Sequence, residues 1–368
     1  MALFSPLTLR GITLPNRIAL SPMCMYSCED GYANDWHMVH LGARAVGGVG
    51  LVMAEATAVV PEGRITPNDL GLWKDDHVEP LIPITRFIHA QGAYAAVQIA
   101  HAGRKAGTAR PWAPKRGPVP IEEGGWVPVG PSPIRFREDM TEPHELTAAE
   151  IAALQVSYRH AARRAREAGF SVLEIHSAHG YLMHQFLSPI SNRRTDAYGG
   201  SLENRCRMLI EVARECRREW PEHLPMFVRI SSTDWVEGGW TIDDSVFLAR
   251  QLKSEGVDLI DCSSGGSTPD AAVPVGPGFQ VPFAERIRRE AGVATGAVGM
   301  ITEPAQADAI VRDGRADLVF VGRELLRDPH WALRAARELG VEVPWSAPYS
   351  WAVGPSGAPI RPAASIPD

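Results

Sequence analysis

The chain of 368 residues has only five cysteines, Cys24, Cys28, Cys206, Cys216 and Cys262, and no two of them form a C-x-x-C. An odd count without paired spacing excludes a disulfide scaffold and an iron–sulfur centre, and a reducing, cytoplasmic location is the expectation. No apolar run reaches the ~18 residues a membrane span needs, so no membrane partner is expected. The start, "MALFSPLTLRG", lacks the basic and apolar regions of a secretory signal. No Lys/Arg block of the kind that tracks a phosphate backbone occurs. The formal net charge is −6, from 37 Lys and Arg against 43 Asp and Glu, so nucleic acid is not an expected partner. The one basic stretch, "ARRAREAG" (162–169), alternates with Ala and reads as the solvated face of a helix. A G-x-G-x-x-G after the first strand-like run is also missing, which argues against a Rossmann domain.

What the chain has in abundance is alternation. Apolar strand-like runs occupy 17–23, 50–56, 93–99, 171–176, 225–231, 257–266, 293–299 and 316–323. Helical patterns fill 35–48, 75–92, 147–169, 202–220, 243–256, 281–292, 303–314 and about 328–339. The third of these helices opens on a capping box, Thr147…Glu150, and stops at Gly169; Ser201 is a natural N-cap for the fourth. A Gly/Pro-rich excursion runs from 101 to 143. Eight strand–helix units predict an α/β fold, a single (β/α)8 TIM barrel over residues 1–342. A short N-terminal β-hairpin lid and an extended C-terminal tail, 343–368, are expected with it. The tail is read as an inter-subunit arm or as partly disordered.

Barrel chemistry gathers at the C-terminal ends of the strands, and these ends are crowded with polar and small groups: "SPMCMY", "EAT", "QIAHAGR", "HSAHGY", "RIS", "SSGG", "VGMIT" and "VGRELL". Gly299 and Gly322, with Arg323, suit a phosphate cradle, although glycines there are equally turn residues. Gln98 can donate and accept in one plane, as a pyrimidine-type ring edge requires. Arg229 ends an apolar strand and needs an anionic partner, which in most proteins is a structural ion pair. The stretch "IHSAHGYLMHQFLSP" (175–189) concentrates His176, His179, Tyr181 and His184 on what reads as a barrel-mouth loop.

"SPMCMYSCEDGYANDWHMVHLG", "EATAVVPEGRITPNDLGLW", "QIAHAGRKA", "EIHSAHGYLMHQFLSPISNRRTDAYGGSLENR" and "FVGRELLRDPHW" strongly resemble the Old Yellow Enzyme family of FMN-dependent ene-reductases. The branch most resembled contains the xenobiotic reductases and the thermophilic-like enzymes, and the likeness runs in order through residues 3–343. It implies a non-covalent FMN at the barrel mouth, with Ser21, Pro22, Met23 and Cys24 beside its ring and Ala56 and Gln98 at its edge. It implies Arg229 near N1, supplying the ring with the positive charge whose missing anion is the reduced flavin, and Gly299, Gly322 and Arg323 at the phosphate. By the same resemblance His176 and His179 grip a substrate oxygen, and Tyr181 protonates the α-carbon while hydride from N5 adds at the β-carbon. Tyr26 lines the substrate site, as does Val298, where some relatives carry Trp. Trp351 is a loose match to an aromatic that can reach a neighbouring subunit.

The implied activity is that of an NAD(P)H-dependent flavin oxidoreductase. NADPH or NADH is the hydride donor, and the acceptor is an activated alkene such as an enone, enal, maleimide or nitroalkene. The implied assembly is a homodimer or homotetramer. Cys28 and His184 have no matched role and read as structural. Three other readings compete: a metal-dependent barrel hydrolase using His101, His176 and His179, a flavin-dependent RNA-modifying barrel, and a binding-only barrel. The first lacks an H-x-H on strand one, the second a basic face, and the third any use for Tyr181 and the histidine pair.

Overall fold

In a computed structural model, the structure describes residues 1–353; residues 354–368 and the side chain of Trp351 lie outside the described part. The short polar-alternating runs β1 (Leu7–Leu9) and β2 (Ile12–Leu14) pair as an antiparallel hairpin. The apolar runs β3 (Ile18–Leu20), β4 (Leu51–Ala58) and β5 (Tyr94–Ala100) are buried on both faces, as strands of a parallel sheet covered by helices must be. Two dipeptide strands, β6 (Val129–Gly130) and β7 (His144–Glu145), pair inside the excursion after β5. The series continues with β8 (Val172–Ser177), β9 (Met226–Ser231), β10 (Leu259–Ser263), β11 (Ala294–Ala297) and β12 (Leu318–Val321). Among the described residues β3, β4, β5, β8, β9, β10, β11 and β12 close a parallel barrel in that order, with β12 returning to β3. The expected barrel is therefore the observed one.

The helices are α1 (Asp35–Val46), α2 (Ile82–Ala90), α3 (Ala148–Glu167), α4 (Leu182–Leu187), α5 (Leu202–Glu219), α6 (Ile242–Ser254), α7 (Val281–Ala291), α8 (Pro304–Arg312), α9 (Arg323–Arg327) and α10 (Trp331–Glu338). The Thr147…Glu150 box caps α3, and Ser201 caps α5 through the Asn204 N–H. Tyr158 of α3, Trp220 after α5 and Trp331 of α10 are fully buried against the barrel wall. Burial of an apolar side chain of this class contributes roughly 1.5–3 kcal/mol each.

Three boundaries differ from the sequence pattern for local reasons. The helix expected over 75–92 begins only at Ile82; two 3-10 turns, Asp75–His77 and Glu79–Leu81, come first, because Pro80 and Pro83 supply no N–H for an α-turn. The stretch 175–189 is not all loop, since Leu182–Leu187 forms α4. The strand expected over 316–323 ends at Val321, and Arg323 begins the short α9.

The β1–β2 hairpin sits at the N-terminal end of the barrel. Gly11 donates its N–H to the His223 carbonyl, and Arg10 pairs with Glu222 and Asp258, the residues that precede β9 and β10. The C-terminal mouth is thus left to the loops. No helix is long and apolar enough to cross a membrane among the described residues. Thr147→Ala removes the hydroxyl half of the α3 cap and leaves the backbone N–H to Glu150; it is expected to lower stability by about 1 kcal/mol, read as a reduced urea midpoint with an unchanged slope.

Candidate functional site

The mouth is organised around a charge inside the barrel. Arg229 on β9 is buried, donates from Nη1 to the Ser21 hydroxyl at 3.1 Å, and pairs through Nε with Asp261 Oδ2 on β10 at 3.1 Å. The anion that Arg229 requires is therefore already present in the protein, where the resemblance had assigned that part to the flavin. Beside it, Gln98 on β5 donates from Nε2 to Glu174 Oε1 on β8 at 2.7 Å. Glu174 and Asp261 are fully buried. Burial pushes Asp261 up to about 6 against the downward pull of Arg229. Glu174 is raised well above the usual carboxylate range by burial and then by Asp261. One guanidinium cannot ionise two buried acids, so Glu174 is the one that keeps its proton. Nη2 of Arg229 makes no bond to the described protein, and Gln98 keeps its carbonyl free.

β4 carries a bulge at Glu55, where the register with β5 passes from Ala54↔Val97 to Ala56↔Gln98. The bulge re-aims Glu55, whose Oε2 accepts the Met25 N–H at 2.8 Å while its Oε1 meets His37 Nε2 at 3.1 Å. Glu55 thereby holds the segment from Ser21 to Tyr26 across the mouth. On that segment Cys24 lies against the Ala56 backbone and the Tyr26 hydroxyl; burial, then Asp69 and Glu55, push its thiol well up, so it stays protonated. Cys28, set aside in the sequence, touches His37 at 3.4 Å and belongs to this support.

The β8 end turns sharply. His179 (φ 58°) and Gly180 (φ 72°) are both left-handed. A Cβ on Gly180 would stand 2.0 Å from the Gly266 carbonyl oxygen, so only glycine lets the loops after β8 and β10 meet backbone to backbone. The turn packs three rings: His176 lies 5.1 Å from His179 and 5.1 Å from Tyr181, both edge to face. His176 Nδ1 accepts the Ala178 N–H, which leaves its proton on Nε2. His179 Nε2 lies 2.7 Å from the Ser263 hydroxyl, and the His179 backbone N–H donates to the Ser231 hydroxyl. Burial, then Arg229, hold both imidazoles well below their usual range, so both are neutral. Burial likewise raises the Tyr181 phenol well above its usual range.

His184 is buried on α4. It accepts the Gly180 N–H and pairs with Asp234 at 3.0 Å, fixing the turn from below. Gln185 ties the same turn to the loop after β5, donating to the Gly180 and Ala102 carbonyls. Lys105 reaches over from that loop, donating to the His179 carbonyl at 2.8 Å with its ammonium 5.0 Å from the Tyr181 ring centre.

A second cleft, of 480 Å³, opens between the ends of β11 and β12, lined by Gly299, Met300, Gly322 and Arg323 among others. A Cβ on Gly322 would meet nothing closer than Met23 Sδ at 3.6 Å, so the protein itself leaves room there. Arg323 is exposed and has no carboxylate partner among the described residues. Open backbone and an unpaired guanidinium are what a phosphate needs. Together with the free Nη2 of Arg229 and the free carbonyl of Gln98, these groups fit the phosphate and ring edge of FMN. Val298, expected on the substrate side, lines this cleft and gives its carbonyl to Gln280. Tyr26 stands 5.8 Å from Trp112, on the excursion. Among the described residues no group of three or more His, Cys, Asp or Glu side chains is placed to hold a metal ion. His101 spends Nδ1 on the Gly103 N–H, and burial lowers it to about 3.

Sequence reasoning missed Glu174, Asp261, Glu55, Ser263 and Lys105. Glu174 and Asp261 had a signal: each is a lone acid inside an apolar strand run, "VLEIH" and "LIDCS".

The profile of the NADH:flavin oxidoreductase / NADH oxidase family matches residues 2–342. A curated NADPH dehydrogenase of Geobacillus sp. (strain WCH70) is 51% identical over 349 residues, covering 94% of this chain and 97% of that protein. Among solved structures, morphinone reductase in complex with tetrahydroNAD superposes with a TM-score of 0.77 at 26% identity, over 95% of this chain and 94% of that one. A 2-naphthoyl-CoA reductase complex superposes with a TM-score of 0.83 at 27% identity, over 92% of this chain; the chain spans 52% of that longer protein.

The buried neutral histidines predict an acid sensitivity. His101, His176 and His179 have folded values below the unfolded ~6.5. The unfolded chain therefore binds protons first. The histidine contribution is full above about pH 6.5 and falls with pH below it, at up to about 1.4 kcal/mol per pH unit for each group. The raised carboxyls of Glu174 and Asp261 pull the other way over the same range, so the histidine part is read by difference: His101→Asn should lessen the fall of the denaturant midpoint between about pH 6.5 and pH 5.

Proposed function

The chain belongs to the NADH:flavin oxidoreductase / NADH oxidase family, the Old Yellow Enzyme family, and is an NAD(P)H-dependent FMN oxidoreductase; from that premise we propose that it reduces activated alkenes at the His176–His179–Tyr181 cluster. Bound FMN supplies the two-electron chemistry, taking hydride from NAD(P)H and passing hydride to a substrate carbon. In this reading Ser21, Pro22, Met23, Cys24, Ala56, Gln98 and Arg229 hold its ring, and Gly299, Gly322 and Arg323 its phosphate.

The observation that carries the proposal is the packing of two neutral imidazoles and one protonated phenol in edge-to-face contact at the mouth. His176 offers an Nε2–H with no partner in the described protein. Ser263 supports the second imidazole: its hydroxyl lies 2.7 Å from His179 Nε2 and fixes that ring beside His176. Two such donors on one carbonyl or nitro oxygen draw electrons from the conjugated C=C and stabilise the charge that develops on that oxygen. Neutrality matters, because a protonated imidazole pair would repel Arg229 and each other.

Tyr181 then gives its O–H proton to the α-carbon, and the phenolate is reprotonated from solvent. With its pKa raised, the phenol releases that proton only to a strong base, which the enolate is. Lys105 lies over the Tyr181 ring and stabilises the phenolate while it lasts. Tyr26 and Cys24 border the same space.

Tyr181→Phe is expected to slow alkene reduction by about 10²-fold or more while NAD(P)H consumption in the first half-reaction changes little. Stopped-flow of the two half-reactions reads this. Equal slowing of both would remove Tyr181 as the proton source.

A further inference from the structure

The excursion after β5 folds back over the mouth, and with Tyr181 its residues line a separate pocket of 230 Å³. Four cations line it, Lys105, Arg110, Arg116 and Arg137, and no Asp or Glu does. Phe136 and Met140 contribute apolar wall. Only one of the four is neutralised: Arg137 holds Asp139 in a two-bond fork at 2.9 and 3.1 Å. Lys105 spends its ammonium on two carbonyls, those of His179 and Gly266. Arg110 stands 5.9 Å over the Trp112 ring. Neither Arg110 nor Arg116 has an ion pair among the described residues, and both are exposed. On a chain of net charge −6 this is a local inversion of sign. Burial, then Arg104 and Arg137, bring Lys105 down to about 8. A surplus of cations lining one pocket is relieved by an anion.

We propose that this pocket takes the diphosphate bridge of the nicotinamide donor. Guanidinium forks match phosphate oxygens two at a time, and more than one fork suits a doubly charged group. The volume accommodates a diphosphate with part of its ribose, not a whole dinucleotide. Its wall includes Tyr181, so an anion seated here lies one ribose away from a ring reacting at the mouth. The assignment rests on the reading that the nicotinamide reacts beside Tyr181, and it explains why that loop is basic in an acidic protein. It also gives the excursion a function in the reductive half-reaction alone.

The test uses the holoenzyme and the double variant Arg110→Ala/Arg116→Ala, with Arg116→Ala alone as the control that leaves the Arg110–Trp112 contact in place. Flavin reduction is followed by stopped-flow with NADPH, with NADH, and with the phosphate-free donor 1-benzyl-1,4-dihydronicotinamide. Half-saturation for NADPH and NADH should rise together by about tenfold or more, the loss of charge-assisted hydrogen bonds, and the wild-type values should rise with ionic strength. The phosphate-free donor should be unaffected. An unchanged half-saturation for both dinucleotides would overturn the proposal, as would equal weakening of the phosphate-free donor. A rise for NADPH only would overturn it in favour of the terminal ribose phosphate. Alkene turnover, measured separately in the oxidative half-reaction, judges the role of Tyr181 independently.

Discussion

Arg229 is a full positive charge placed inside a parallel barrel, where desolvation is severe. It persists because β3 and β10 each deliver a partner: the Ser21 hydroxyl from one side and the Asp261 carboxylate from the other. The neighbouring acid then has no second cation to pair with, keeps its proton, and is left to hold Gln98. The layer beneath the mouth is therefore a set of charges and hydrogen bonds that leaves one guanidinium nitrogen and one amide carbonyl without a partner in the described protein. Burial, and after it the same cation, hold His176 and His179 well below the usual imidazole range, so both stay neutral.

Everything above that layer is fixed by backbone contacts between loops. Gly180 and Gly266 touch because neither has a side chain. His184 with Asp234, and Gln185 with Gly180, hold the turn so that His176, His179 and Tyr181 converge. Glu55, thrown out of line by a β-bulge, does the same for the Cys24–Tyr26 segment. The reactive groups are few, and the supporting ones are more numerous and better buried.

The barrel was legible because its strands are apolar runs separated by helices with clear caps, and the period changes from one to the other without ambiguity. The candidate site was legible where a strand ends in a group that does not belong in a core, as at His176 and Arg229. What stayed hidden depends on side chains from different strands meeting in space. Nothing local tells that Asp261 faces Arg229, or that Ser263 lies 2.7 Å from His179. Short helices such as α4 and α9 escaped because five or six residues are too few to show a period. Val298, read as a substrate-side residue from the resemblance, lines the cleft shared with Gly299.

The Arg229–Asp261 pair supports the rest of the mouth, and Asp261→Leu in the full chain carrying Glu174→Gln, where no second acid can replace it, is the direct test. With neither acid able to ionise, the buried guanidinium is left unpaired, so relative to Glu174→Gln alone the urea unfolding free energy should fall by about 3–5 kcal/mol, and retained FMN, read by its fluorescence after filtration, should fall with it. A variant as stable as the parent, with its flavin still bound, would contradict the claim that this ion pair supports the site.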